Sequence, residues 1–187
     1  IIDIDPQATA SFWQDVRSAE TPAVVSVQPI RLGAMIKACA DAGTDLVIID
    51  GAAVARDVTF EAAKHADFVL VPTKTAVFDT MSMTHTLEVV REQKKPFAVV
   101  LTFVPPQGQE TGDAIAAIEE LGAAVCPVMI GNRKAFFRAQ GAGQAVQEFE
   151  PQGVAADEIN RLYQYTRIAL YSDEKVKNER KLSASNA

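Results

Sequence analysis

Three acids give the first hint of chemistry. Asp3 and Asp5 stand two residues apart in "IIDIDPQ", and Asp50 ends the apolar run in "DLVIIDGAA". Side chains at i and i+2 of an extended segment project from one face, so Asp3 and Asp5 are expected side by side. Carboxylates gathered at a strand end can hold a hydrated Mg²⁺ and orient a water for attack. The competing reading is structural. An Asp at a strand end also caps a following helix or closes a turn, accepting hydrogen bonds from nearby backbone N–H groups. Taken alone, "VIID" fits that second reading, and the paired acids of "DIDPQ" are the more specific signal.

Such residues need elements to position them. Apolar runs rich in Val and Ile occur at Ile1–Ile4, Ala23–Val27, Leu46–Ile49, Phe68–Val71, Phe97–Leu101 and Ala124–Ile130. They do not alternate with polar residues, which is the pattern of strands buried on both faces. Segments with helical spacing lie between them, at Thr9–Ser18, Ile30–Ala42, Val58–His65, Thr80–Gln93 and Thr111–Leu121, and two more follow near Lys134–Ala139 and Ala155–Leu170. This alternation predicts an α/β fold, a doubly wound, mostly parallel sheet with helices on both faces. Residues 1–171 then form one domain and 172–187 a polar tail, "SDEKVKNERKLSASNA", expected as a frayed helix end or a disordered segment. Ligands of such sheets bind at the carboxyl ends of the strands. Asp3, Asp5, Asp50, Lys74, Thr102 to Pro106, and Gly131 to Arg133 would share that edge.

Composition narrows the partners. The net charge of −6 argues against a nucleic-acid surface spread over the whole molecule but allows a local basic patch. One candidate patch is Arg133, Lys134 and Arg138 in "GNRKAFFRA", because residues four apart share a helix face. Either these cations meet DNA phosphates, or Phe136 and Phe137 pack inward and the cations are only solvated. Arg161, Arg167 and the tail cations Lys175, Lys177, Arg180 and Lys181 could extend the patch. Phe12 and Trp13 read as core or interface packing. Cys39 and Cys126 lack metal-ligand spacing and read as free thiols of a reducing cytoplasm. His65 and His85 lack the neighbours that a zinc site needs. No apolar run approaches the ~18 residues of a membrane span, so no membrane partner is expected.

Together, "IIDIDPQATASFW", "TDLVIIDGAA", "ADFVLVPTKTAVFD", "AVVLTFVPPQG" and "CPVMIGNRKAFFRAQGAGQAVQEFEPQGVAADEINRLY" resemble the ParA family. These are deviant P-loop ATPases (SIMIBI type) that partition plasmids and chromosomes, related to MinD and to a T-DNA-processing relative. The resemblance runs from Ile1 to about Tyr163. It implies ATP and Mg²⁺ as cofactors. It implies that Asp5 orients the attacking water, that Asp3 supports the Mg²⁺ site, and that Asp50 holds the metal through a water. It places Thr102, Pro105 and Asn132 around the nucleotide base and Arg133, Lys134 and Arg138 on a non-specific DNA surface. The implied partners are a second copy of the chain in an ATP-sandwich homodimer, DNA, and a ParB-like or cargo adaptor, in a cytoplasmic, nucleoid-associated setting. Lys74 and Asp79 would line the dimer face.

The chain also departs from that family. Family members carry a first strand, a K-G-G-x-G-K-T/S phosphate loop and a helix before the D-x-D-P-Q strand, and no G-x-x-x-x-G-K-S/T segment occurs here. The chain is therefore expected to be N-terminally incomplete, with unpaired strand edges beside the strand ending at Asp50. Without the backbone cradle and Lys of such a loop, these residues are not expected to hydrolyse ATP by themselves. Gly51, Ala52 and Ala53 stand where the family has Thr-Pro-Pro, and Thr102 where it often has Asn. The alternatives are a catalytically dead ParA-like interaction module and a MinD-like or T-DNA-positioning ATPase. A MinD-like membrane helix is disfavoured, since the tail holds only Val176 and Leu182 as large apolar residues.

Overall fold

The structure, a computed structural model, describes residues 1–52 and 56–184, with side chains described except at 77–82 and 172–184. Asp79 and the tail cations therefore lie outside the described side chains, and Ala53 outside the described residues. In chain order the elements are β1 (Ile2–Asp3), α1 (Thr9–Val16), β2 (Val25–Ser26), a 3₁₀ turn at Pro29–Arg31, α2 (Leu32–Asp41), β3 (Ile49–Asp50), α3 (Arg56–His65), β4 (Val69–Lys74), α4 (Val77–Glu92), β5 (Phe97–Thr102), α5 (Glu110–Glu120), α6 (Lys134–Gly141), α7 (Val146–Phe149) and α8 (Val154–Ala184).

All strand pairs are parallel, as the unbroken apolar runs predict. Among the described residues, however, they form two sheets, one ordered β2-β1-β3 and one pairing β4 with β5. Helix α3 links them, packing on both α2 and α4. In the first sheet Ile2 and Ile4 turn to one face and meet Leu32 of α2 together with Val47, Ile49 and Val58. In the second, Val71, Val99 and Leu101 pack on Leu87 of α4 and on Ala114 and Ile118 of α5. Its opposite face carries Ala98 and Val100 against Phe136 of α6 and Ile159, Leu162 and Tyr165 of α8. Helices thus cover both faces, and period-2 alternation of apolar side chains feeds two separate cores.

One expectation needs correction. The run Ala124–Ile130 does not make a sixth strand. It is bonded to β5 around Val99, by the Ala124 carbonyl and the Cys126 N–H, and at Leu101, by the Ile130 N–H, but pairs there only as an isolated bridge, Val99↔Val125, with a second, Val104↔Gly131, just beyond. The next donor the ladder needs is the Val128 N–H, and it turns instead to the Cys126 sulfur at 3.4 Å. Apart from that, helix α8 continues past Tyr171 to Ala184.

Candidate functional site at the carboxyl ends of the strands

The register of the first sheet sets Asp3 of β1 directly beside Asp50 of β3. Paired residues of neighbouring strands project from the same face, and Asp5 follows two residues after Asp3, so the three acids share one side of the sheet edge. Their environments differ. Asp3 is fully buried. Its Oδ1 accepts from the Asp5 N–H at 3.1 Å, and its Oδ2 accepts from the Ser11 N–H and the Ser11 hydroxyl, both at 3.0 Å. It therefore pins α1 back onto β1 and folds the "DIDPQ" turn. Asp5 is half-buried and accepts from the Gln7 N–H at 2.9 Å. This is the local turn contact that Asp makes after a strand. Asp50 is half-buried; its backbone carbonyl accepts from the Ile4 N–H at 2.9 Å, but among the described residues its carboxylate has no hydrogen-bond or ion-pair partner. Burial pushes its carboxyl pKa up, and the charges of Asp3 and Asp5 push it further in the same direction.

This cluster concentrates negative charge without neutralising it. No group of three or more His, Cys, Asp or Glu side chains among the described residues is arranged to hold a metal ion directly. Mg²⁺ asks for less. It keeps several waters and is commonly bound through one or two carboxylates together with substrate phosphates. Asp50, unpartnered and beside two other acids, fits that role; Asp3, with donors on both oxygens, does not.

The second sheet presents another set. Lys74 ends β4 and pairs in register with Thr102 of β5. Beyond Thr102 the chain is stitched to the segment after Pro127. The Val104 N–H donates to the Ile130 carbonyl at 3.0 Å, and the Asn132 N–H to the Val104 carbonyl at 2.9 Å. These bonds bring Thr102, Pro105 and Asn132 into one loop cluster. Arg133 sits at its base and is fixed by the buried Glu158 of α8, with Nη2 to Oε1 at 2.6 Å and Nε to both oxygens at 3.0 Å. Glu158 also accepts from the Gly131 N–H at 3.2 Å. Arg133 is thus already ion-paired, while Lys134 and Arg138 are exposed on α6. The Phe pair divides, with Phe136 turning into the core and Phe137 outward against Phe103.

The two sheet edges are joined through α1 and α6. The Arg17 guanidinium, at the end of α1, donates to the Gly143 carbonyl at 3.0 Å and pairs with Glu148 at 2.6 Å. Its planar head also lies 4.8 Å from the Trp13 ring centroid. Arg17 with the Ala145 N–H holds the Glu148 carboxyl down at about 2. Gly143 has φ +64°, and a Cβ there would come within 2.6 Å of the Val16 carbonyl, so only glycine lets this turn approach α1. Sequence reasoning missed the pairs Arg17–Glu148 and Arg133–Glu158. No local signal marked them, because each of the four has another charged residue within two positions of it.

No family model matches the chain, and no curated protein matches it. Among solved structures, it is similar to the crystal structure of a ParA family ATPase from Chlorobium tepidum TLS, with a TM-score of 0.61 at 15% identity over 85% of this chain and 81% of that one. At that identity the likeness speaks for the backbone arrangement, and the chain has an α/β fold of parallel strands flanked by helices, similar to that of a ParA family ATPase.

Proposed function

We propose that this chain is a ParA-type nucleotide-dependent module that partitions or positions DNA. The observation that carries this reading is the placement of Asp50 beside Asp3 and Asp5 at the carboxyl edge of parallel strands, with Asp50 left unpartnered. Asp50 would hold hydrated Mg²⁺ together with a nucleotide's phosphates, and the metal would supply charge neutralisation there. Asp5 would orient the attacking water, while Asp3 holds the turn that carries Asp5. Thr102, Pro105 and Asn132 would border the base. Lys134 and Arg138, with Arg133 anchoring the helix start, would meet DNA phosphates. In this reading the active species is a homodimer that works with an adaptor of the ParB type in the cytoplasm. Among the described residues no helix is long and apolar enough to cross a membrane.

The 187 residues contain no G-x-x-x-x-G-K-S/T segment, so in this reading they do not turn ATP over unaided. Phosphate release measured with Mg²⁺ and DNA is expected to stay at background, and turnover that Asp5→Ala abolishes would overturn the expectation. In a version supplied with a phosphate loop, Asp5→Ala should stop hydrolysis but leave ATP binding in place. Loss of nucleotide binding instead would remove Asp5 from the water-orienting role. A second reading, a catalytically silent interaction module, is favoured by one observation: hydrogen-bond donors already occupy both oxygens of Asp3.

A further inference from the structure

Phe103 is unusual in two independent ways. Its φ is +52°, in the left-handed region that bulky side chains avoid. Its ring is also 45% exposed, although the buried Leu101 of β5 stands only two positions before it. Packing explains neither feature, since a ring turned inward without strain would bury more apolar surface. Phe137 repeats the pattern from α6, with 56% exposure and its ring centroid 6.0 Å from that of Phe103 at an interplanar angle of 58°. The Lys74 ammonium lies 5.2 Å from the Phe103 centroid. Lys134 and Arg138 flank Phe137 on the same helix. Among the described residues Lys74, Lys134 and Arg138 have no ion-pair partner, in contrast to Arg133 beside them.

Two solvent-facing rings held at the carboxyl end of parallel strands and bordered by unpaired cations match one ligand chemistry. It is a flat aromatic ring that carries phosphate. We propose that Phe103 and Phe137 form a stacking platform for the unpaired bases of a single-stranded nucleic acid, with Lys74, Lys134 and Arg138 meeting its phosphates. Base–aromatic stacking needs a free base face, which a duplex keeps inside its helix. A surface made only for duplex phosphates would have no use for strained, exposed rings. The proposal deepens the DNA-binding part of the proposed function and rests on it.

The test uses the whole chain and fluorescence anisotropy. The probes are a labelled oligo(dT) of about 20 nucleotides, long enough to cover one site, a mixed-sequence duplex of equal length, and ATP as a competitor, each at several salt concentrations. The single strand should bind more tightly than the duplex. Phe137→Ala should weaken strand binding about tenfold without changing the salt slope, because stacking releases no counterions. Phe137→Trp should restore binding. Phe103→Gly removes both ring and strain, so it should lose strand affinity while the unfolding midpoint does not fall; a purely structural Phe103 would not give that split. Lys134→Ala with Arg138→Ala should lower the salt slope by about 1.4, or about 0.7 for each lost phosphate contact on a single strand. Duplex binding that equals strand binding and ignores Phe137→Ala would overturn the platform but leave the DNA reading standing. Binding of neither nucleic acid would remove both. Displacement of the strand by ATP at concentrations comparable to the nucleotide content of the oligomer would reassign the rings to a mononucleotide.

Discussion

At the scale of single residues, charge environment separates side chains of the same type. Asp3, Asp5 and Asp50 are chemically alike, yet one is closed by three donors, one makes a turn and one is unpartnered. Glu148 shows the opposite case to Asp50. Arg17 and the Ala145 N–H lower its pKa from 4.5 to about 2 in the folded chain. A depressed carboxylate contributes stability above its unfolded value that is lost as pH falls toward its folded one, here between 4.5 and about 2. Because the Glu148 side chain is 42% exposed, solvent screening limits the contribution to on the order of 1 kcal/mol. Glu148→Gln should therefore be less stable than the parent at pH 7, with the difference closing as pH drops through that window. Urea midpoints at a series of pH values measure this, and parallel pH profiles for the two proteins would rule the ion pair out as the cause. Arg17 keeps its carbonyl partners at Thr21 and Gly143 in the variant, so the guanidinium is not stranded.

At the scale of elements, α6 and α8 are tied by one ion pair, in which Glu158 is buried and Arg133 is partly exposed. Glu158 is on α8 and Arg133 is at the entry to α6, and Glu158 also holds the Gly131 N–H. This geometry fixes the loop that carries Asn132 and aims Lys134, Phe137 and Arg138 outward. Removing Glu158 leaves the partly solvated Arg133 without its partner and the Gly131 N–H without its acceptor, and a lost hydrogen bond to a charged group costs about 1.5–3 kcal/mol. Glu158→Ala should destabilise by an amount of that order. Arg133→Met combined with Glu158→Leu should recover most of the loss, because similar volume is kept and no charge remains. Chemical denaturation of the two variants decides the matter; a double variant no better than Glu158→Ala would mean that the pair is needed for its hydrogen bonds to the loop. The pair was not legible in the sequence, because its members stand 25 positions apart. The basic cluster itself was legible, but not which of its cations is already engaged.

At the scale of the whole molecule, the split sheet is the dominant feature. Among the described residues β3 pairs only with β1, and β4 only with β5. Leu46 and Ile48, on the same face as Asp50 by strand periodicity, are 44% and 55% exposed. An edge with unpaired backbone groups and apolar side chains is a template for association with another chain. Ile48→Lys should reduce self-association measured by light scattering at increasing protein concentration, while shifting stability by no more than about 0.5 kcal/mol, as expected for an exposed position. Unchanged scattering would show that β3 is not the sticky edge.

The sequence by itself determined the strand–helix alternation, the parallel character of the strands and the carboxyl edge as the place where polar residues gather. Each follows from local chemistry, since apolar periodicity and strand-terminal acids are written in contiguous residues. The helices at Thr9, Leu32, Arg56, Glu110 and Lys134 appear where helical spacing predicts them, within the usual shift at their ends. Only the tertiary structure decided the rest. It divided the sheet in two, reduced the segment around Pro127 to bridges, turned Phe137 outward while Phe136 went inward, and gave Asp3 three donors while leaving Asp50 with none. These outcomes depend on which distant groups arrive within hydrogen-bonding distance of each other. A carboxylate's role is set by the donors and charges around it, and those are brought together by the fold and not by neighbouring sequence.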